Sequence, residues 1–139
     1  MTVLITDDGF GKDDWVDAYI TLEDLPLKSG ATNVAVDLAS DTDPAALEGH
    51  LADIDMIRVD FPSFADGRGF TIARRLRIMG FGGRLRAKGH VISDQYAMAR
   101  RAGFDEVEIS DELAARQPEE EWVFRANWKD HDYQSRVRA

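Results

Sequence analysis

Short runs of aliphatic and β-branched residues recur along this chain, most of them followed by a stretch long enough for a helix, and that alternation is the pattern of a parallel α/β sheet. The clearest runs are Asn33–Leu38, Met56–Phe61, Arg84–Lys88 and Glu106–Ile109, with Val3–Thr6 ahead of them. Ser40–Pro44 offers an Asp or Thr cap before a proline at the first helical position, which predicts a helix running to about Asp53. Ile72, Leu76 and Met79 give an i, i+4, i+7 stripe to a helix from about Gly69 to Met79, closed by Gly80-Phe81-Gly82-Gly83. Another is expected around Ser93 to Ala102, with Ile92, Tyr96, Ala99 and Gly103 on one side, and Ser110-Asp111-Glu112 and Gln117-Pro118-Glu119 open two shorter ones. Trp15–Leu25 also reads as a helix, ended by Pro26. The expected fold is α/β: a small, mostly parallel β-sheet built from βα units, with helices packed on it and right-handed crossovers. At 139 residues the chain suits one domain over 1–128, with 129–139 as an aperiodic C-terminal tail that is flexible or docks on a partner.

Charge is distributed unevenly. The formal total is −9, yet residues 61–104 hold nine basic and two acidic side chains, while residues 1–60 hold three and fourteen. The acidic total argues against nucleic acid as a partner, and the basic block within it has three uses: a solvated surface, an internal partner for the acidic flanks, or an anion site. Arg84, Arg86 and Lys88 alternate with Leu85 and Ala87, which puts three cations on one side of a strand. Glu106 and Glu108 alternate in the same way with Val107 and Ile109, so an adjacent strand would set carboxylates against them as a cross-strand ladder. No run approaches the length of a membrane span, and Met1–Thr6 lacks the features of a signal peptide, so a cytoplasmic protein is expected.

Cysteine is absent, which removes thiolate chemistry and cysteine-held clusters. His50, His90 and His131 are too scattered for a zinc site, and neither a metal nor a resident cofactor is expected. In an open α/β sheet, ligands gather beyond the carboxyl ends of the strands, where three loops qualify: Ala39–Asp43, Pro62–Gly69 and Gly89–Gln95. The second holds Asp66-Gly67-Arg68-Gly69, a flexible backbone and a guanidinium just before a helix start, suited to a small oxyanion. The same four residues also read as a braced turn, and they lack the third glycine of a dinucleotide fingerprint. Asp66, His90 and Asp94 are the acid/base candidates, since all three belong to this edge. Trp122, Phe124 and Trp128 read as core or docking residues.

The run Asp60-Phe61-Pro62-Ser63-Phe64-Ala65-Asp66-Gly67-Arg68-Gly69-Phe70, continuing through Ala73, Leu76 and Arg77, then Gly83–Val91 with Asp94-Gln95, and Arg101-Ala102-Gly103-Phe104-Asp105, resembles the bacterial domain-of-unknown-function 934 family. Members of that family are commonly labelled probable oxidoreductases involved in sulfite reduction. The motif region covers residues 60–109, with weaker likeness in the preceding βα unit and in Tyr133-Gln134. The resemblance implies an accessory or oxyanion-binding protein of assimilatory sulfite reduction, partnered by a sulfite reductase or another sulfate-assimilation enzyme. The alternative it implies is an oxidoreductase-type enzyme using a borrowed nicotinamide or flavin. Ala102 stands where the family often carries cysteine, which excludes a thiol mechanism here. The positions carried over from the family motif are Asp66, Gly67, Arg68, Arg77, Arg86, Asp94, Gln95 and Arg101, and with Gly69 they make up the expected anion-binding set.

Overall fold

The computed structural model describes residues 2–15, 17–25 and 33–126. The expected tail 129–139, with Trp128, Tyr133-Gln134 and the helix-ending Pro26, lies outside them. Seven strands, β1 (Thr2–Thr6), β2 (Gly9–Gly11), β3 (Tyr19–Thr21), β4 (Ala35–Leu38), β5 (Met56–Phe61), β6 (Arg84–Gly89) and β7 (Glu106–Ser110), form one sheet in the order β2-β1-β7-β6-β5-β4-β3. The five from β3 to β7 are parallel neighbours. β1 joins β7 antiparallel, with Thr2 opposite Ser110, and β2 pairs antiparallel with β1. Among the described residues the sheet is accompanied by four α-helices: α1 (Arg68–Ile78), α2 (Tyr96–Ala102), α3 (Asp111–Arg116) and α4 (Glu119–Arg125).

The alternation seen in the sequence sorts the sheet into two faces. Val36, Ile57, Val59, Leu85, Ala87, Val107 and Ile109 join one buried cluster with Phe70, Ile72 and Leu76 of α1, Tyr96 and Ala99 of α2, Leu113 of α3 and Trp122 of α4. Burying each large side chain in that cluster is worth about 1.5–3 kcal/mol relative to exposure. Arg58, Arg84, Arg86, Glu106 and Glu108 lie on the opposite face by the same alternation, between the apolar positions of their strands.

Two expected helices are corrected. Trp15–Leu25 is not helical: Tyr19–Thr21 forms β3 beside β4, and Leu22–Asp24 makes a single 3-10 turn. An aromatic and two β-branched residues prefer a free sheet edge to a marginal helix that Pro26 would cut short. Pro44–Asp53 divides into 3-10 turns at Pro44–Leu47 and Leu51–Asp53, the first capped by Asp43, whose Oδ1 accepts from Ala45 N at 3.0 Å. Gly49 interrupts them at φ +86°, a conformation that an α-helix does not admit.

The segment between β2 and β3 starts at one edge of the sheet and finishes at the other. Six interstrand spacings amount to about 29 Å, and the eight residue steps from Gly11 to Tyr19 reach about 28 Å when extended. The chain turns on the way, with Asp13 Oδ1 accepting from the Trp15 N–H at 2.9 Å, so this strap is not drawn out straight. Asp13 and Asp14, which it carries, meet Arg84 and Arg86 of β6, so it crosses the face opposite the helices.

Candidate functional site

At the carboxyl edge of the parallel strands, the loop after β5 turns through Asp66 N donating to Ser63 O at 3.1 Å and leads into α1. Asp66 Oδ1 accepts from the backbone N–H of Arg68 at 3.1 Å and from its Nε at 3.0 Å, and Oδ2 accepts from Nη2 at 2.7 Å. Nη2 also donates to Ser40 Oγ at 2.9 Å, joining the loop after β4 to the start of α1. The Arg68 side chain nonetheless stays 59% exposed. It borders a shallow hollow of ≈ 340 Å³ whose other walls include Ser40, Thr42, Thr71 and Arg75. The side-chain bond from Arg68, then the one from its backbone N–H, holds the Asp66 carboxyl well below the usual carboxylate range.

Glycine is needed at position 69 for packing. A Cβ there would lie 2.5 Å from the Phe61 ring, so Gly69 lets α1 sit directly on β5.

The third loop is tied to the second. Gln95 donates from Nε2 to Phe64 O at 3.0 Å and accepts from Ile92 N–H at 3.1 Å. His90 Nδ1 lies 3.3 Å from Phe61 O, and the His90 ring meets the Phe64 ring edge-on at 5.2 Å. Asp94, with a 70% exposed side chain, accepts from Arg125 Nη2 of α4 at 2.7 Å. Asp66, His90 and Asp94 thus share one edge, but no hydrogen bond joins any two of them, and each has a separate partner.

The rest of the expected anion-binding set lies elsewhere. Arg77 is at the opposite edge, where its guanidinium donates to the carbonyls of Phe81, Gly83 and Gly103 at 2.8–3.0 Å and to Asp105 at 2.9 Å. It is a clamp on the turns that start β6 and β7. Arg101 occupies the last turn of α2, also away from Asp66. Arg86 is fully buried on the face opposite the helices. Asp66, Gly67, Arg68, Gly69, Asp94 and Gln95 share the carboxyl edge, whereas Arg77, Arg86 and Arg101 do not join them.

The expected ladder forms around Arg86. Its Nε donates to Glu106 at 2.6 Å, and its Nη1 donates to Glu108 and lies against Asp13, both at 2.9 Å. Arg84 donates to Glu106 at 2.7 Å and Asp14 at 2.8 Å, and that bond from Arg84 lowers the Asp14 pKa. Arg58 forks onto Asp37 at 2.6 and 2.8 Å, reaches Glu108 at 3.1 Å and stacks 3.5 Å over the Tyr19 ring. Burial opposes charge on Arg58 and Arg86, but the carboxylates outweigh it and raise both pKa values. Asp13, Asp14, Asp37, Arg58 and Tyr19 were not singled out from the sequence, although Asp37 and Arg58 alternate with apolar residues as Arg84 and Arg86 do.

Trp122 is core, its indole N–H donating to Gln117 O at 3.0 Å, while Phe124 is exposed. Among the described residues there is no group of three or more His, Asp or Glu side chains placed to hold a metal, and no helix is long and apolar enough to cross a membrane. A family model described as a bacterial protein of unknown function (DUF934) matches residues 35–139. No curated protein matches the chain.

Proposed function

The chain belongs to DUF934, a bacterial family of unknown function, and from that membership we propose that it is an accessory, oxyanion-binding protein of assimilatory sulfite reduction, working in the cytoplasm beside a sulfite reductase or another sulfate-assimilation enzyme. The Asp66–Arg68–Ser40 arrangement carries this reading. Asp66 is bonded through both oxygens to one arginine and titrates far below neutrality, so it serves to hold Arg68 in place. The guanidinium is then fixed and exposed at the start of an eleven-residue helix, where Asp66 and Gly67 already accept the Arg68 and Phe70 N–H groups, so the Arg68 side chain is the donor on which this reading rests. Sulfite or sulfate offers acceptor oxygens to that exposed guanidinium, beside which Asp66 and Asp41 set two carboxylates. The sulfur context comes from the family resemblance and from no feature of the site.

Oxidoreductase activity with a borrowed nicotinamide or flavin is the competing reading. It needs a proton-transfer group near neutrality, and the bonding of Asp66 weighs against that residue supplying one. Thermal unfolding and calorimetric titration with sodium sulfite and sodium sulfate decide the matter. We expect saturable stabilisation of the wild-type protein that Arg68→Ala abolishes, while the unliganded variant still unfolds cooperatively. Equal stabilisation of both proteins removes this site. Stoichiometric binding of a flavin or nicotinamide in place of the oxyanion favours the enzyme.

A further inference from the structure

Two buried donors, Nη2 of Arg86 beneath the strap and Nε1 of Trp15 on it, have no hydrogen-bond acceptor among the described residues. A buried donor left unmet is costly, so these two point to an acceptor that belongs with them. They share their surroundings. Asp14 Oδ1 lies 3.5 Å from Arg86 Nη2, too far for a hydrogen bond, and is held instead by Arg84 Nη2 at 2.8 Å. Trp15 packs against Arg84 and Tyr19, and the Tyr19 hydroxyl lies 3.3 Å from Arg86 Nη1.

Charge identifies the replaceable group. The three guanidiniums of Arg58, Arg84 and Arg86 are already matched by three sheet carboxylates, Asp37, Glu106 and Glu108. Asp13 and Asp14 come in addition, from the strap. The Asp14 side chain is 63% exposed, against 29% for Asp13, so Asp14 can turn into water with little rearrangement. Exchanging it for a monoanion from solution leaves the charge of the cluster unchanged. It also gives Arg86 Nη2 and Trp15 Nε1 the acceptor they lack.

We propose that a small monoanion with two or more acceptor oxygens, a carboxylate or hydrogensulfite, binds beneath the strap in place of the Asp14 carboxylate, accepting hydrogen bonds from Arg86 Nη2, Trp15 Nε1 and Arg84 Nη2. Asp14 is then an internal stand-in for that ligand. The site is separate from the hollow at Arg68 and does not depend on it.

The test is titration of the full-length, nitrogen-15-labelled protein with sodium formate and with sodium sulfite, following the Trp15 indole N–H resonance assigned through Trp15→Phe. A saturable shift of that resonance is expected with at least one probe, roughly fivefold tighter in Asp14→Ala because an exposed competing carboxylate is gone. The shift persists in Arg68→Ala, which separates this site from the other. No saturable shift in either the wild type or Asp14→Ala, an unaltered affinity in a folded Asp14→Ala, or an indole N–H that responds only by exchange with a held water overturns the proposal. Should Asp14→Ala fail to fold, the wild-type shift and the same comparison in Asp14→Asn decide it.

Discussion

An aspartate two residues before an arginine at a helix start can work as an acid or as a brace, and the bonds around Asp66 make it a brace. Its carboxyl pKa is depressed in the folded protein, chiefly by the Arg68 side chain. The stability this pair contributes is therefore complete above the ordinary carboxylate pKa near 3.8 and fades as pH falls from there through the lowered folded value. Thermal unfolding of the wild type and Asp66→Asn should differ by a constant amount at pH 5 to 7, by a gap that narrows below about pH 4. A gap independent of pH would place the effect elsewhere. The Asp66-Gly67-Arg68-Gly69 motif was legible as a braced turn with an anion site as the other reading, because cap chemistry is local. Gly69 was legible only as flexible backbone, since the Phe61 ring it admits is eight residues away and on a strand.

Strands β6 and β7 show what alternation decides and what it leaves open. The register sets Arg86 opposite Glu106 and Lys88 opposite Glu108, which the sequence permits because both strands carry charge at every second position. What covers that face was not legible, because the helix read at Trp15–Leu25 begins after Asp13 and Asp14, and the role of those two depends on where β2 and β3 attach. Burial makes the ladder costly to break. Arg86→Met leaves Glu106 and Glu108, with side chains only 7% and 4% exposed, short of a counter-charge and should destabilise the protein by about 3–5 kcal/mol in urea unfolding. Arg86→Met combined with Glu106→Gln should recover part of that loss. A cost below about 1 kcal/mol for the single change would mean that solvent reaches the ladder freely.

For the whole molecule, the matched region 35–139 holds β4 to β7 and the helices, and the chain before it supplies both outer edges of the sheet. The strap joins those edges in eight residue steps. Deleting Lys12 and Asp17 shortens its reach by about 7 Å, so hydrogen exchange should accelerate at Gly9–Gly11 or Tyr19–Thr21. Inserting two glycines after Lys12 should leave the protection of both strands intact. Equal protection in the deletion variant would show that the sheet curls enough to bring its edges closer.

The pairing of β1 with β7 also sets a schedule. Ser110, the partner of Thr2, is synthesised more than a hundred residues after it. At about 5–20 residues per second, the opening strand waits roughly 5–20 s for its neighbour. Throughout that interval Val3 has no partner strand and Leu4 and Ile5 have only the three-residue β2 beside them, which makes β1 a stretch a chaperone would have reason to hold.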